Sequence, residues 1–109
     1  MAYDPGLAER VAATFASLGL AHARQKNVFG GRGFMLGKST GVIVWGDGLL
    51  VKTPPNEYAD ALREPGTTPF APDGERPMST WVVVPAEAVA DDPQLEEWVR
   101  RGVRAVRRA

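Results

Sequence analysis

The 109-residue sequence contains no cysteine and a single histidine, His22. The first absence removes disulfides, thiolate metal sites and thiol nucleophiles. The second leaves any Ser-His-Asp arrangement dependent on one residue, and one histidine without cysteine cannot complete a tetrahedral zinc site from nitrogen and sulfur ligands. His22 stands in a polar stretch beside charged residues and reads as a surface or sheet-edge side chain. No window approaches eighteen uncharged apolar residues, so no membrane-spanning helix and no membrane partner are expected. The N-terminus places Asp4, Glu9 and Arg10 where a signal peptide needs an apolar core, and the expected location is the cytoplasm. Charge of one sign is also missing in excess: 13 basic residues face 13 acidic ones. A general polyanion binder is therefore not expected, and any nucleic-acid role needs a local patch.

What is present reads as one α+β domain over residues 1–109. Asp4-Pro5 is a helix start, with Asp4 as N-cap and Pro5 in the first turn, where its missing N–H costs nothing. Leu7, Val11, Phe15 and Leu18 then share one helical face, and Gly19 ends the segment. A polar stretch from Ala21 to Phe29 predicts an exposed strand leading into Gly30-Gly31-Arg32-Gly33. Three short apolar runs follow, at Phe34-Met35-Leu36, Val42-Ile43-Val44-Trp45 and Leu49-Leu50-Val51. The glycine-bearing segments 37–41 and 46–48 between them predict a β-meander. Pro54 and Pro55 close it, and Asn56 to Leu62 predicts a short helix with Tyr58, Ala61 and Leu62 inward. Glu64 to Pro77 reads as a long irregular loop and Met78 to Val84 as a strand ended by Pro85. Asp92-Pro93 opens a last helix whose Leu95, Trp98, Val99, Gly102, Val103 and Val106 form an apolar stripe. The expected order is α-β-β-β-β-α-β-α, a largely antiparallel sheet of about five strands with helices packed on one face.

Chemistry-bearing patterns are few. Asp91-Asp92 sits where a helix N-terminus favours negative charge, and Asp73 with Glu75 flanks a turn, so both carboxylate pairs read as structural. The glycine cluster can cradle a phosphate through backbone N–H groups with Arg32 supplying charge, but the known phosphate loops stand between a strand and a helix, whereas Phe34-Met35-Leu36 reads as strand. The alternative is a tight turn or bulge between strands. Arg32-Gly33-Phe34 opens an RNA-recognition signature that Met35 and Leu36 fail to continue. No catalytic, cofactor-binding or metal-ligating residue is assigned. The most basic feature is the last helix, where Arg100, Arg101, Arg104, Arg107 and Arg108 lie opposite the apolar stripe. With Arg32, and helped by Arg24 and Lys26, they form a candidate surface for nucleic acid or an acidic protein. Glu96 and Glu97 stand four residues before Arg100 and Arg101, which equally suits a solvated helix face.

Val28-Phe29-Gly30-Gly31 followed by Gly33-Phe34, then the hairpin Gly46-Asp47-Gly48-Leu49-Leu50-Val51, resembles the N-terminal domain of the TfoX/Sxy competence-regulator family. Arg76-Pro77-Met78 before a strand ending at Pro85 and Asp91-Asp92-Pro93 before the helix bearing Trp98 extend the likeness across roughly Asp4 to Arg104. Val28 stands where that family usually has methionine. The resemblance implies an α+β domain with an antiparallel sheet and Phe29, Gly30, Gly31, Gly33 and Trp98 as its structural motif. It carries over no catalytic residue and no cofactor. It also implies a regulatory role in natural transformation, through a protein partner that is a transcription regulator. The resulting expectation is a non-catalytic interaction module, a transcriptional adaptor able to self-associate as a homodimer through a sheet face or edge. Direct nucleic-acid binding through the arginine helix is the alternative.

Overall fold

The computed structural model describes residues 3–107; Arg108, named above in the basic surface, lies outside them. The Asp4 carboxylate accepts hydrogen bonds from the N–H groups of Gly6 at 2.8 Å and Leu7 at 3.3 Å, and helix α1 runs Pro5–Ser17 from this cap. Its Leu7, Val11 and Phe15 are buried, as the spacing predicts. The strands are β1 (Arg24–Val28), β2 (Gly31–Leu36), β3 (Ser39–Trp45), β4 (Gly48–Lys52), β5 (Thr68–Pro69) and β6 (Trp81–Val84). A 3-10 turn (Pro55–Glu57) and the single-turn helix α2 (Tyr58–Ala61) follow β4, and a second 3-10 turn (Ala86–Val89) precedes helix α3 (Asp92–Arg107).

All six strands join one antiparallel sheet in the order β1-β2-β3-β4-β6-β5. Strand β5 lies within the segment expected to be wholly irregular: Thr68 and Pro69 pair with Val83 and Val82 at the sheet's far edge, where a proline is tolerated because no neighbour needs its N–H. Two strands are shorter than the pattern suggested. Residues 21–23 form a turn before β1, and Ser79 at φ 51° breaks the extended run, so β6 begins at Trp81. Helix α3 also begins at Asp92, which makes Asp92 the first helical residue; its carboxylate accepts from Arg10 Nη2 at 2.9 Å, tying α3 to α1.

The sheet has two unequal faces. Phe34, Val42, Val44, Val51, Val82 and Val84 point to one side and pack beneath α1 and α3, with Phe15 and Phe34 stacked at 5.2 Å. Helix α3 crosses β3 at Gly41 and Gly102, whose backbones touch: a Cβ on either would overlap the carbonyl of the other. Ile43, Leu50 and Trp81 point to the other side, where the segment between β5 and β6 covers them with Phe70 and Met78. This cover also reaches Val28 of β1 and leaves Arg24 and Lys26 of the same strand exposed. No helix among the described residues is long and apolar enough to cross a membrane.

Candidate functional site

Three surfaces bear on function, beginning with the arginine face of α3. Arg104 makes a two-pronged contact with Glu57, Nε to Oε2 at 2.9 Å and Nη2 to Oε1 at 2.8 Å, and has Glu97 at 3.6 Å. Arg101, only 13% exposed, lies within 3.9 Å of Glu57, 3.7 Å of Glu64 and 3.8 Å of Glu97. Its guanidinium sits 4.4 Å over the Trp98 ring. Arg100 donates to Glu96 at 2.9 Å. The hydrogen bond to Glu57, reinforced by the charges of Glu57 and Glu97, holds the Arg104 guanidinium above its ordinary value. Arg100, Arg104, Arg107 and Glu57 rim an open groove of about 450 Å³ with Leu18, Leu20 and Val103 in its lining, and four carboxylates, Glu57, Glu64, Glu96 and Glu97, stand among the arginines of this face. Arg107 is exposed and makes no ion pair within 4 Å among the described residues. The face is thus largely neutralised within the molecule, and forked arginine–carboxylate pairs are the strongest ion pairs to break.

Arg32 is not part of that surface. It lies on the helix side of β2, where its Nη1 donates to Asn27 Oδ1 at 3.2 Å and its guanidinium stands 5.5 Å from the Tyr3 ring; its Nε is buried without a partner. Gly31 and Gly33 are ladder positions, opposite Val28 and Lys26. Their N–H groups follow the strand and do not converge on an anion, and the turn itself is Phe29-Gly30 alone. Among the remaining candidates, Asp73 accepts from the N–H groups of Glu75 at 2.9 Å and Arg76 at 3.0 Å, closing a local turn. Those bonds, Arg76 first, hold its carboxyl below the usual value. His22 is exposed. Among the described residues no three histidine, aspartate or glutamate side chains gather as a metal site.

The second surface is aromatic and lies at the β1–β2 turn, beside the covering residue Phe70. Phe29 and Gly30 both have positive φ, 53° and 79°, the pattern of a type I′ hairpin turn between β1 and β2. That turn favours Asn, Asp or Gly at its first position, because a left-handed φ brings Cβ against the backbone. Phe29 occupies it, 51% exposed, with Trp45 beside it at 36%. The two are held as a unit: Trp45 Nε1 donates to the Phe29 carbonyl at 3.2 Å, and both rings meet Phe70 edge-on at centroid distances of 5.6 Å.

The third surface is basic. Residues 10–46 contain Arg10, Arg24, Lys26, Arg32 and Lys38 and no aspartate or glutamate at all. Arg10 is paired with Asp92. Arg24, Lys26 and Lys38 have no carboxylate within 4 Å among the described residues, and with Gln25 and Met35 they line a shallow recess of about 400 Å³ at the β1 edge. In sequence Arg24 and Lys26 stand only as helpers of the arginine helix; the run of residues without acid, which the chain-wide sum conceals, marks them with Lys38 as a surface of their own.

No curated protein and no solved structure matches the chain. The family model of the TfoX N-terminal domain matches residues 14–106. That span takes in only the last turn of α1, beginning at Thr14 rather than at Asp4, together with the whole sheet and nearly all of α3, and it includes Phe29, Gly30, Gly31, Gly33 and Trp98. The chain therefore belongs to the TfoX N-terminal domain family.

Proposed function

We propose that this chain is a non-catalytic interaction module of the cytoplasm that docks a protein partner, a transcription regulator, on the aromatic surface formed by Phe29 and Trp45. Membership of the TfoX N-terminal domain family supports a regulatory or interaction role. The observation that carries the reading is Phe29. A bulky residue in a left-handed turn costs on the order of 1–3 kcal/mol, and strain of that kind persists where it serves a contact. Half of the ring faces solvent, so its packing on Phe70 recovers only part of that cost. A partner that covers the ring and the neighbouring Trp45 supplies the remainder, since buried aromatic anchors dominate protein interfaces.

The arginines of α3 supply weaker support for the nucleic-acid alternative. To reach phosphates, Arg101 and Arg104 would have to leave Glu57 and Glu97. Their arrangement suits a braced helix better than a free cationic face.

The test is Phe29→Asn, which places a favoured residue in the type I′ turn. Its thermal midpoint is expected to stay within a few degrees of the parent, because relief of the turn offsets the lost ring contact, roughly 1 kcal/mol each way. Proteins recovered with the parent chain from native extract are expected to be lost with the variant. Equal recovery by parent and variant would remove Phe29 from the interface. A DNA retardation that weakens when Arg100, Arg104 and Arg107 become alanine would instead favour the helix as a phosphate surface.

A further inference from the structure

We infer that the free edge of β1 accepts an acidic, extended segment of a partner protein as an additional strand, its carboxylates read by Arg24, Lys26 and Lys38. The inference rests on the interaction reading above and adds the chemistry of the partner. Strand β1 is the terminal strand of the sheet, and Arg24, Gln25, Lys26 and Asn27 are all exposed. The two-residue turn closes on the pair Val28 and Gly31, so pairing alternates from there. Lys26 and Arg24 bond to β2, while Gln25 and Asn27 turn their N–H and C=O groups outward. Those groups form a ready template for another strand.

Charge selects which strand. Arg24 and Lys26 project from the same side of β1, about 7 Å apart along the strand, which is the spacing of alternate side chains on an incoming partner. Lys38, in the β2–β3 turn, borders the same recess, and none of the three has a carboxylate nearby. Acidic residues at every second position of an added strand meet them in register.

The same charges disfavour a second copy. A two-fold axis that continues the sheet through β1 and is centred on Gln25 or Lys26 places Lys26 opposite Arg24 or Lys26 of the other subunit. Nucleic acid satisfies the cations and leaves the outward N–H and C=O groups of Gln25 and Asn27 without strand partners. A peptide strand satisfies both, as in other complexes formed by strand addition.

The full chain is titrated with a fluorescent peptide of about eight residues carrying glutamate at alternate positions between valine and threonine. Saturable binding is expected, weakened about tenfold or more by the double substitution Arg24→Glu with Lys26→Glu. Exchange of the peptide glutamates for lysine is expected to restore binding to that double variant. A peptide N-methylated along its pairing edge keeps every carboxylate and is expected not to bind, with no change to the protein. Absence of binding to the parent chain overturns the inference. So does indifference to N-methylation or to the charge reversal, and so does equal affinity for an oligonucleotide of the same charge. Phe29 lies outside β1, so capture that depends on Phe29 while the peptide fails to bind overturns the edge assignment and leaves the interaction reading standing.

Discussion

Gly102→Ala is expected to cost about 3–5 kcal/mol, a large fraction of the roughly 5–15 kcal/mol that holds a domain of this size together. The new Cβ would lie against the Gly41 carbonyl and the Val42 side chain. Val42 is itself buried and is paired with Phe34 on one side and Val51 on the other, and Gly41, the unpaired residue at the β2–β3 bulge, is tied to it directly, so neither can retreat far. The only accommodation is to lift α3 from the sheet, which opens the packing of Val99 and Val103 as well. Gly41→Ala has the mirror-image problem at the Gly102 carbonyl. Because both substitutions force the same separation, the double variant is expected to lose much less than the sum of the two. Urea or guanidinium denaturation measures all three. A loss below about 1 kcal/mol for either single variant would show that the helix and β3 are not in contact there.

Trp98→Ala is expected to be of comparable size, about 3–5 kcal/mol, by the usual cost of deleting a large buried aromatic. Trp98 is 3% exposed and lies in the core beneath α3. Its ring also carries Arg101, a contact worth roughly 0.5–2 kcal/mol. Arg101 in turn reaches Glu57, Glu64 and Glu97, so the ring braces the ionic network that links α3 to the segment after β4. Trp98→Phe keeps most of the apolar volume and a ring face and is expected to lose markedly less. Equal losses for the alanine and phenylalanine variants would mean that the volume matters little and that the indole itself is the essential part.

The fold was legible where local chemistry repeats a known pattern. Asp4-Pro5, the spacing of Leu7, Val11 and Phe15, and the stripe from Leu95 to Val103 each follow from caps and a 3.6-residue period, and all are found as helix and core. The two faces of Trp81 to Val84 follow from alternation in the same way. Strand β5 was not legible, because two residues that include a proline have no period to detect and take their pairing from Val82 and Val83, more than ten residues away.

Much less of the candidate site could be seen. Glu96 is visible as an i,i+4 partner of Arg100, but Glu57 and Glu64 reach the arginines only through the packing of α3 against the chain after β4. Without them the helix looks like an open cationic face. Phe29 presents the opposite difficulty. In sequence it reads as the last residue of an exposed strand; only its left-handed φ and its contacts with Trp45 and Phe70 show a strained ring held outward.

The most direct measurement places a photo-crosslinking phenylalanine analogue at position 29 in one version of the chain and at position 107 in another, with irradiation in the source cells. The interaction reading predicts a discrete protein adduct from position 29 and none from position 107. Adducts with protein or nucleic acid from position 107 alone, or none from either position, would contradict it.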